Sequence, residues 1–316
     1  MAVPANTIQN VARVGVREDL SDKIAELFPD ETPFMNAIGT SSVNHTYTEW
    51  QTDSLVAANG ANATIQGDDL DNENRPNTIR VGTHTQIFKK VISASSTVEW
   101  TNKAGRRSEL ARETMKAGRE IRRDMETRFC ANSASVAATA SVAGQTAGAL
   151  AWLTSNVSRG GSGSNGGFSA GIVAAATNGT QRAYTETLLK TVLQAVWNNG
   201  GNPKMVITNG TQKMASAAFA GLAQQRREAG NEKLTIVAGA DVYVSDFGSV
   251  QFVPDRFASA RDALIVDPEY WDMGIGDALK IVPLAKTGLA ERRGMYAEVA
   301  LRCLNQAASG VVADLS

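Results

Sequence analysis

Imidazoles and thiols set the first limit on what this chain can catalyse or bind. Two histidines, His45 and His84, and two cysteines, Cys130 and Cys303, are scattered over 316 residues. A His/Cys metal site needs ligands grouped at short spacings, and a Ser–His–acid triad would have to use one of those two imidazoles. Neither arrangement is legible. Gly161 to Gly166 reads GSGSNG and matches GxGxxG, but it sits in a Gly/Ser run with no apolar strand leading into it. It is a chance match. Asp69, Asp71 and Glu73 imitate the opening of a calcium loop, yet Asn74 stands where the loop needs Gly and Arg80 where it needs Glu. The expectation there is a solvated acidic tip.

Two further sets of residues offer chemistry. Asp267, Glu269 and Asp272 in DPEYWD could supply an acid/base pair to a soluble α/β hydrolase, although such residues most often cap and close turns. Arg106, Arg107, Arg119, Arg122 and Arg123 could meet phosphate, but Glu109, Glu113, Glu120 and Asp124 interleave with them, which argues against a dedicated nucleic-acid face. Overall charge says the same: 31 Lys plus Arg against 32 Asp plus Glu leaves no global field to collect DNA or an anionic membrane. No apolar run approaches the roughly 18 residues of a membrane span, and the two cysteines fit a reducing, cytoplasmic origin.

The elements that carry these residues are an odd set. AGRRSELARETMKAGREIRRDMETRFC, residues 104–130, predicts one long helix capped at Thr101 or Asn102 and reaching roughly 40 Å at about 1.5 Å per residue. Leu110, Ala117, Ile121, Met125 and Phe129 form a narrow apolar stripe, flanked by opposite charges at helical spacing: Glu109 with Arg112, Glu113 with Lys116, Glu120 with Arg123, Arg122 with Glu126. Upstream, HTYTEWQTDSLVA and NTIRVGTHTQIFKKVISAS flank a polar centre and predict a hairpin whose arms reach roughly 50 Å at about 3.3 Å per residue. A lone ribbon of that length is marginal in water and must lie on something.

The remainder is more ordinary. Leu20, Ile24 and Leu27 mark a short helix stopped at Pro29, followed by a turn anchored by Phe34, Met35 and Ile38. SRGGSGSNGGFSAG reads as a flexible loop. Leu188, Leu189, Val192, Leu193 and Val196 give a helix its buried face, and strands follow at KMVITN, DVYVSD, SVQFVPD and ALIVD, with a helix over TQKMASAAFAGLAQQRRE between the first two. Met295, Ala297, Val299, Leu301 and Cys303 alternate strictly, and with ALKIVPLA they predict two strands of a return sheet. The fold class is α+β.

Several words in this order resemble a known family: REDLSDKIAELFPDETPFMNAIG, YTEWQTDSLVAAN, AGRRSELA with REIRRDME, WLTSNVSRG, and NGTQRAYTETLLKTVLQAVWNNGG. The sequence is similar to tailed-phage major capsid proteins of the HK97-like fold, in the group of SU10-like major head proteins, along nearly its whole length. The resemblance implies an N-terminal arm over 1–44 and an extended E-loop over 45–92. It places a P-domain over 93–182, with its spine helix at about 101–130, an axial A-domain over 183–270, and a return to the P-domain over 271–316. It implies pentamers and hexamers in an icosahedral head that encloses double-stranded DNA, made in the host cytoplasm and ending in the virion, with no enzymatic activity, cofactor or membrane.

Partners implied with it are other copies of the chain, a portal protein, an external decoration protein in some relatives, and packaged DNA by nonspecific contact. Residues 45–88 contain no lysine, so no covalent E-loop crosslink can start there, and no fused scaffolding segment precedes the arm, so a separate scaffolding protein is expected. Asp68, Asp69, Asp71 and Glu73 at the tip, and Arg106 and Arg107 at the start of the spine helix, are the candidate inter-subunit contacts. The rivals are an encapsulin-like nanocompartment shell, which shares the fold, and the carboxylate hydrolase, which does not.

Overall fold

The computed structural model describes residues 27–69, 75–219 and 242–316. Of the helix expected over Leu20–Leu27 only Leu27 is described, exposed and outside any helix, and the second half of the one read from Thr211 lies outside these residues. Helix α1 (Pro33–Ala37) begins on a proline, whose missing N–H costs nothing at that position, and buries Phe34 and Met35. Strand β1 (Gly39–Ser42) follows. Strands β2 (Tyr47–Thr52) and β3 (Ile79–His84) then pair antiparallel from Tyr47↔His84 to Thr52↔Ile79.

This ribbon is shorter than the sequence suggests. Its pairing spans six residues per arm, roughly 20 Å at about 3.3 Å per residue. At Thr85, whose N–H donates to the Thr46 carbonyl at 2.8 Å, the chain turns into a separate strand, β4 (Gln86–Ser95), that buries Phe88 and Ala94 in the body.

The long helix also starts later than expected. Ser96–Trp100 form a short helix of their own, α2, and α3 spans Glu109–Phe129, 21 residues or about 30 Å. Gly105, in the left-handed region at φ +73°, breaks the path between them. The Ser108 hydroxyl caps α3 by accepting the Ala111 N–H, and Glu99 of α2 accepts the Leu110 N–H at 2.6 Å. A carboxylate from a neighbouring helix thus completes this N-terminus. The predicted stripe is sound: Leu110, Ala117, Ile121, Met125 and Phe129 are all buried.

After α3 come α4 (Ala149–Trp152), β5 (Val157–Ser158) and a small hairpin, β6 (Gly167–Ser169) with β7 (Ile172–Ala174). The Gly/Ser run expected to be a flexible loop is tied down here. Ser164 bridges Thr177, and a Cβ at Gly160 would lie 1.9 Å from the Thr180 carbonyl, so the glycines serve close backbone approach.

Then follow α5 (Glu186–Asn198), β8 (Met205–Thr208), α6 (Gly210–Ser216), β9 (Val242–Ser245), β10 (Gly248–Pro254) and β11 (Ala263–Val266). The chain ends with β12 (Trp271–Leu284), β13 (Ala290–Cys303) and β14 (Gly310–Val312).

Two sheets organise these parts. One has the order β1-β12-β13-β4, the other β5-β14-β11-β8-β10-β9. The first carries α3 on the face formed by Met295, Ala297, Val299, Leu301 and Cys303, which join Ile121, Met125 and Phe129 in one core. Each large side chain buried there contributes about 1.5–3 kcal/mol. The second sheet packs Val206, Val250, Phe252 and Ile265 against Leu189, Val192, Leu193 and Val196 of α5. The C-terminal strand β14 belongs to this second sheet, between β5 and β11.

Candidate functional site

The β2–β3 ribbon is rooted firmly and then runs out of support. At its root Trp50 lies on Trp152, ring centroids 5.5 Å apart, with the Arg302 guanidinium 5.8 Å from the Trp50 ring. Beyond Thr52 every described residue as far as Arg80 is exposed, including Leu55 at 97 %, Val56, Ile65 and Ile79. Asp68 and Asp69 sit at this tip, where an Asp68 carboxylate oxygen accepts the Asp69 N–H at 3.0 Å. Asp71 and Glu73 lie outside the described residues.

The basic candidates divide. Arg106, in the turn before α3, is ion-paired with Glu109 at the start of that helix, whereas Arg107 is exposed. Of the predicted helix pairs, Glu113–Lys116 at 2.8 Å and Glu109–Arg112 at 3.7 Å form. Glu120 instead faces Lys90 of β4, which pairs more closely with Asp124 at 2.9 Å. Between α3 and β4 runs a groove of about 470 Å³ with Glu109, Glu113 and Glu120 on one wall and Val91 and Val98 on the other. Close to it, Trp100 and Leu289, each 84 % exposed, flank a second hollow.

The arginines considered for phosphate mostly hold the chain together. Arg119 pairs with Asp30 at 3.5 Å and covers Phe28, Arg122 donates to Asn36 at 2.9 Å and to Thr32 at 3.3 Å, and Arg123 lies over Phe257. Arg122 is therefore not the partner of Glu126. The Glu126 carboxylate is fully buried and accepts the Phe34 N–H at 2.7 Å and the Met35 N–H at 3.0 Å.

Glu126 also meets two groups that sequence reading left unconnected. Donor atoms of Glu126, Cys130 and Asp255 all lie within 4.8 Å of one another. The Cys130 thiol donates to one Asp255 oxygen at 3.5 Å and the other accepts the Phe257 N–H at 2.8 Å, so the carboxylate oxygens and the sulfur are engaged within the chain. Burial pushes Glu126 up to about 7, with Asp255 adding to the push and the two N–H donors opposing it. Burial likewise raises Asp255 and lifts the Cys130 thiol well above its usual range. The only sequence signal was a glutamate three residues before Phe129, on the edge of the apolar stripe.

The carboxylates of DPEYWD have structural roles. Asp267 caps the turn at Pro268–Tyr270, Glu269 pairs with Lys204, and Asp272 holds Arg302 at 2.6 Å and accepts the Ser41 hydroxyl at 3.0 Å. His45 closes a local turn on the Tyr47 N–H, and the His84 ring lies 4.7 Å from that of Tyr47. Among the described residues, no helix is long and apolar enough to cross a membrane.

Geometry therefore directs attention to surfaces, and comparison with known proteins decides whose they are. The family model of the SU10 major capsid protein matches residues 3–316. The chain belongs to the SU10 major capsid protein family. Membership carries the function, that of a phage major capsid protein, and the place where it resides, the virion. The major capsid protein of Escherichia phage Phieco32 is 27 % identical over 343 residues, covering 94 % of each chain.

Solved capsids extend the likeness to the fold, which is HK97-like. The capsid of cyanophage A-1(L) superposes with a TM-score of 0.69 at 12 % identity, covering 98 % of this chain and 99 % of that one. The capsid of a native GTA particle gives 0.64 at 11 %, covering 99 % and 100 %. An encapsulin complex from Synechococcus elongatus PCC 7942 gives 0.56 at 11 %, covering 96 % and 97 %. This SU10-family chain therefore shares its fold with both kinds of shell, and the sequence family separates them.

Proposed function

We propose that copies of this capsid protein form pentamers and hexamers that tile an icosahedral head around double-stranded DNA. The observation that carries this reading is the β2–β3 tip, whose exposed Leu55, Val56 and Ile65 find no cover on their own chain among the described residues. A neighbouring copy supplies that cover, and many such modest contacts add through multivalency. In this reading residues 1–44 are the N-terminal arm, 45–92 the E-loop with its root in β4, and 93–182 the P-domain around the spine helix α3. Residues 183–270 are the A-domain, and 271–316 return to the P-domain through β12 and β13 before β14 rejoins the other sheet.

Asp68, Asp69, Asp71 and Glu73 meet basic groups of an adjacent copy. Arg107 serves better than Arg106, which already has an intrachain partner. A separate scaffolding protein directs assembly in the host cytoplasm, a portal protein occupies one vertex, packaged DNA is met without sequence preference, and the outer face is open to a decoration protein.

Sedimentation velocity with negative-stain electron microscopy of the purified chain, with and without scaffolding protein, tests the proposal. Closed shells, tubes or uniform pentamers and hexamers support it. A monomer at high concentration, indifferent to salt and scaffold, overturns it. Nuclease-protected DNA in particles from infected cells, as opposed to an enclosed enzyme, separates the phage head from a nanocompartment.

A further inference from the structure

Three segments meet at one buried point. Glu126 projects from the last turns of α3, Phe34 and Met35 bring their N–H groups from α1, and Asp255 arrives from the end of β10. Residues 32–38 carry no titratable side chain of their own. The groups that face Glu126 are thus Asp255 from the β10 side, and Cys130 and Arg122 from its own helix, with Arg122 turned toward Thr32 and Asn36.

Two carboxyl groups buried this close do not both ionise easily, since each charge raises the cost of the other where water cannot screen them. A proton on Glu126 removes the repulsion and leaves its oxygens to accept the Phe34 and Met35 N–H groups. We propose that Glu126 is a proton-controlled fastener: with Glu126 protonated beside Asp255, residues 32–38 are held on α3, and loss of that proton loosens them. The inference concerns how the N-terminal segment is attached and does not require the shell reading.

The direction follows from linkage. In the fastened state Glu126 holds its proton up to about pH 7, against an ordinary value of 4.5 when released into water. The fastened state therefore binds the proton more tightly, and raising the pH through 7 favours release. The full difference corresponds to a change on the order of a hundredfold in the opening equilibrium.

Hydrogen–deuterium exchange by mass spectrometry on the full chain, followed in peptides covering Phe34 and Met35 and corrected for intrinsic rates, reads this out. Protection of those amides falls at least tenfold between pH 6 and pH 8.5 in the wild type, while peptides from β12 and β13 keep theirs. Glu126→Gln, neutral at every pH, abolishes the dependence. Should that variant fail to fold, Asp255→Asn removes the facing charge that helps raise Glu126 and moves the loss of protection to lower pH. Protection equal at the two pH values in the wild type overturns the proposal, and so does an unchanged pH dependence in the folded variant.

Discussion

The carboxylate of Glu126 receives the backbone N–H of Phe34 at 2.7 Å across 92 residues of sequence, joining the long helix to the segment before β1. Phe34 in turn packs edge-on against Trp271, 5.8 Å between ring centroids, so this bond fixes a side chain in the middle of the larger core. Glu126→Ala leaves two buried N–H donors without a partner, each costing about 1–3 kcal/mol, and lowers stability by several kcal/mol in chemical denaturation.

The same site gives thermal stability a pH slope. A carboxyl whose folded pKa of about 7 stands above its ordinary 4.5 stabilises the fold fully below that ordinary value, and this contribution is lost as pH rises through 7. The melting temperature should fall between pH 5 and 8.5, by the equivalent of about 2 kcal/mol, and calorimetry on Glu126→Gln should show a flatter profile. A wild-type profile that rises across that range would contradict the assignment.

Asp314 offers a second buried anchor, near the C-terminus. Its carboxylate accepts the Gly160 N–H at 3.1 Å and the Gly179 N–H at 2.7 Å and pairs with Arg261 at 3.1 Å, while its own backbone is left-handed at φ +59°. Asp314→Ala removes all three acceptor roles and keeps the strained φ. A loss of about 2–4 kcal/mol is expected in urea unfolding, with exchange protection lost first around residues 160–163 and 177–180.

Substitutions at the ribbon tip should separate folding from assembly. Leu55→Ser and Ile65→Ser together alter side chains that are exposed in the single chain, so the melting temperature should move by about 1 °C or less. Particle yield, counted by electron microscopy, should drop sharply. Normal yield would remove the tip from the set of contacts.

Charge reversal tests the proposed pairing. Asp68→Lys with Asp69→Lys should weaken assembly and change its salt dependence, and Arg107→Glu in the same chain should restore part of the yield if the two sites meet across subunits. Arg106→Glu should cost local helix stability instead, because its partner is Glu109.

Periodic burial was the legible part of this fold. The alternation from Met295 to Cys303 and the stripe from Leu110 to Phe129 report which face meets a core, and both faces are buried as read. Features set by distant residues were hidden. The start of α3 depends on Glu99 accepting the Leu110 N–H, and the end of the ribbon on Thr85 meeting Thr46. Glu126 stood among charged neighbours and read as the exposed mate of Arg122, because its true partners lie about 90 residues upstream and Asp255 lies 129 residues downstream. The exposed candidates at the tip and at Arg107 were legible by type only, since a single chain carries no record of the copy that faces them.

The most direct test of the central claim is a cryo-electron microscopy reconstruction of assembled particles at side-chain resolution. The account predicts that Leu55 and Ile65 of one copy are covered by an adjacent subunit, with Asp68 and Asp69 within ion-pair distance of basic side chains there. A shell in which the ribbon tip projects into solvent, its apolar side chains uncovered, would contradict it.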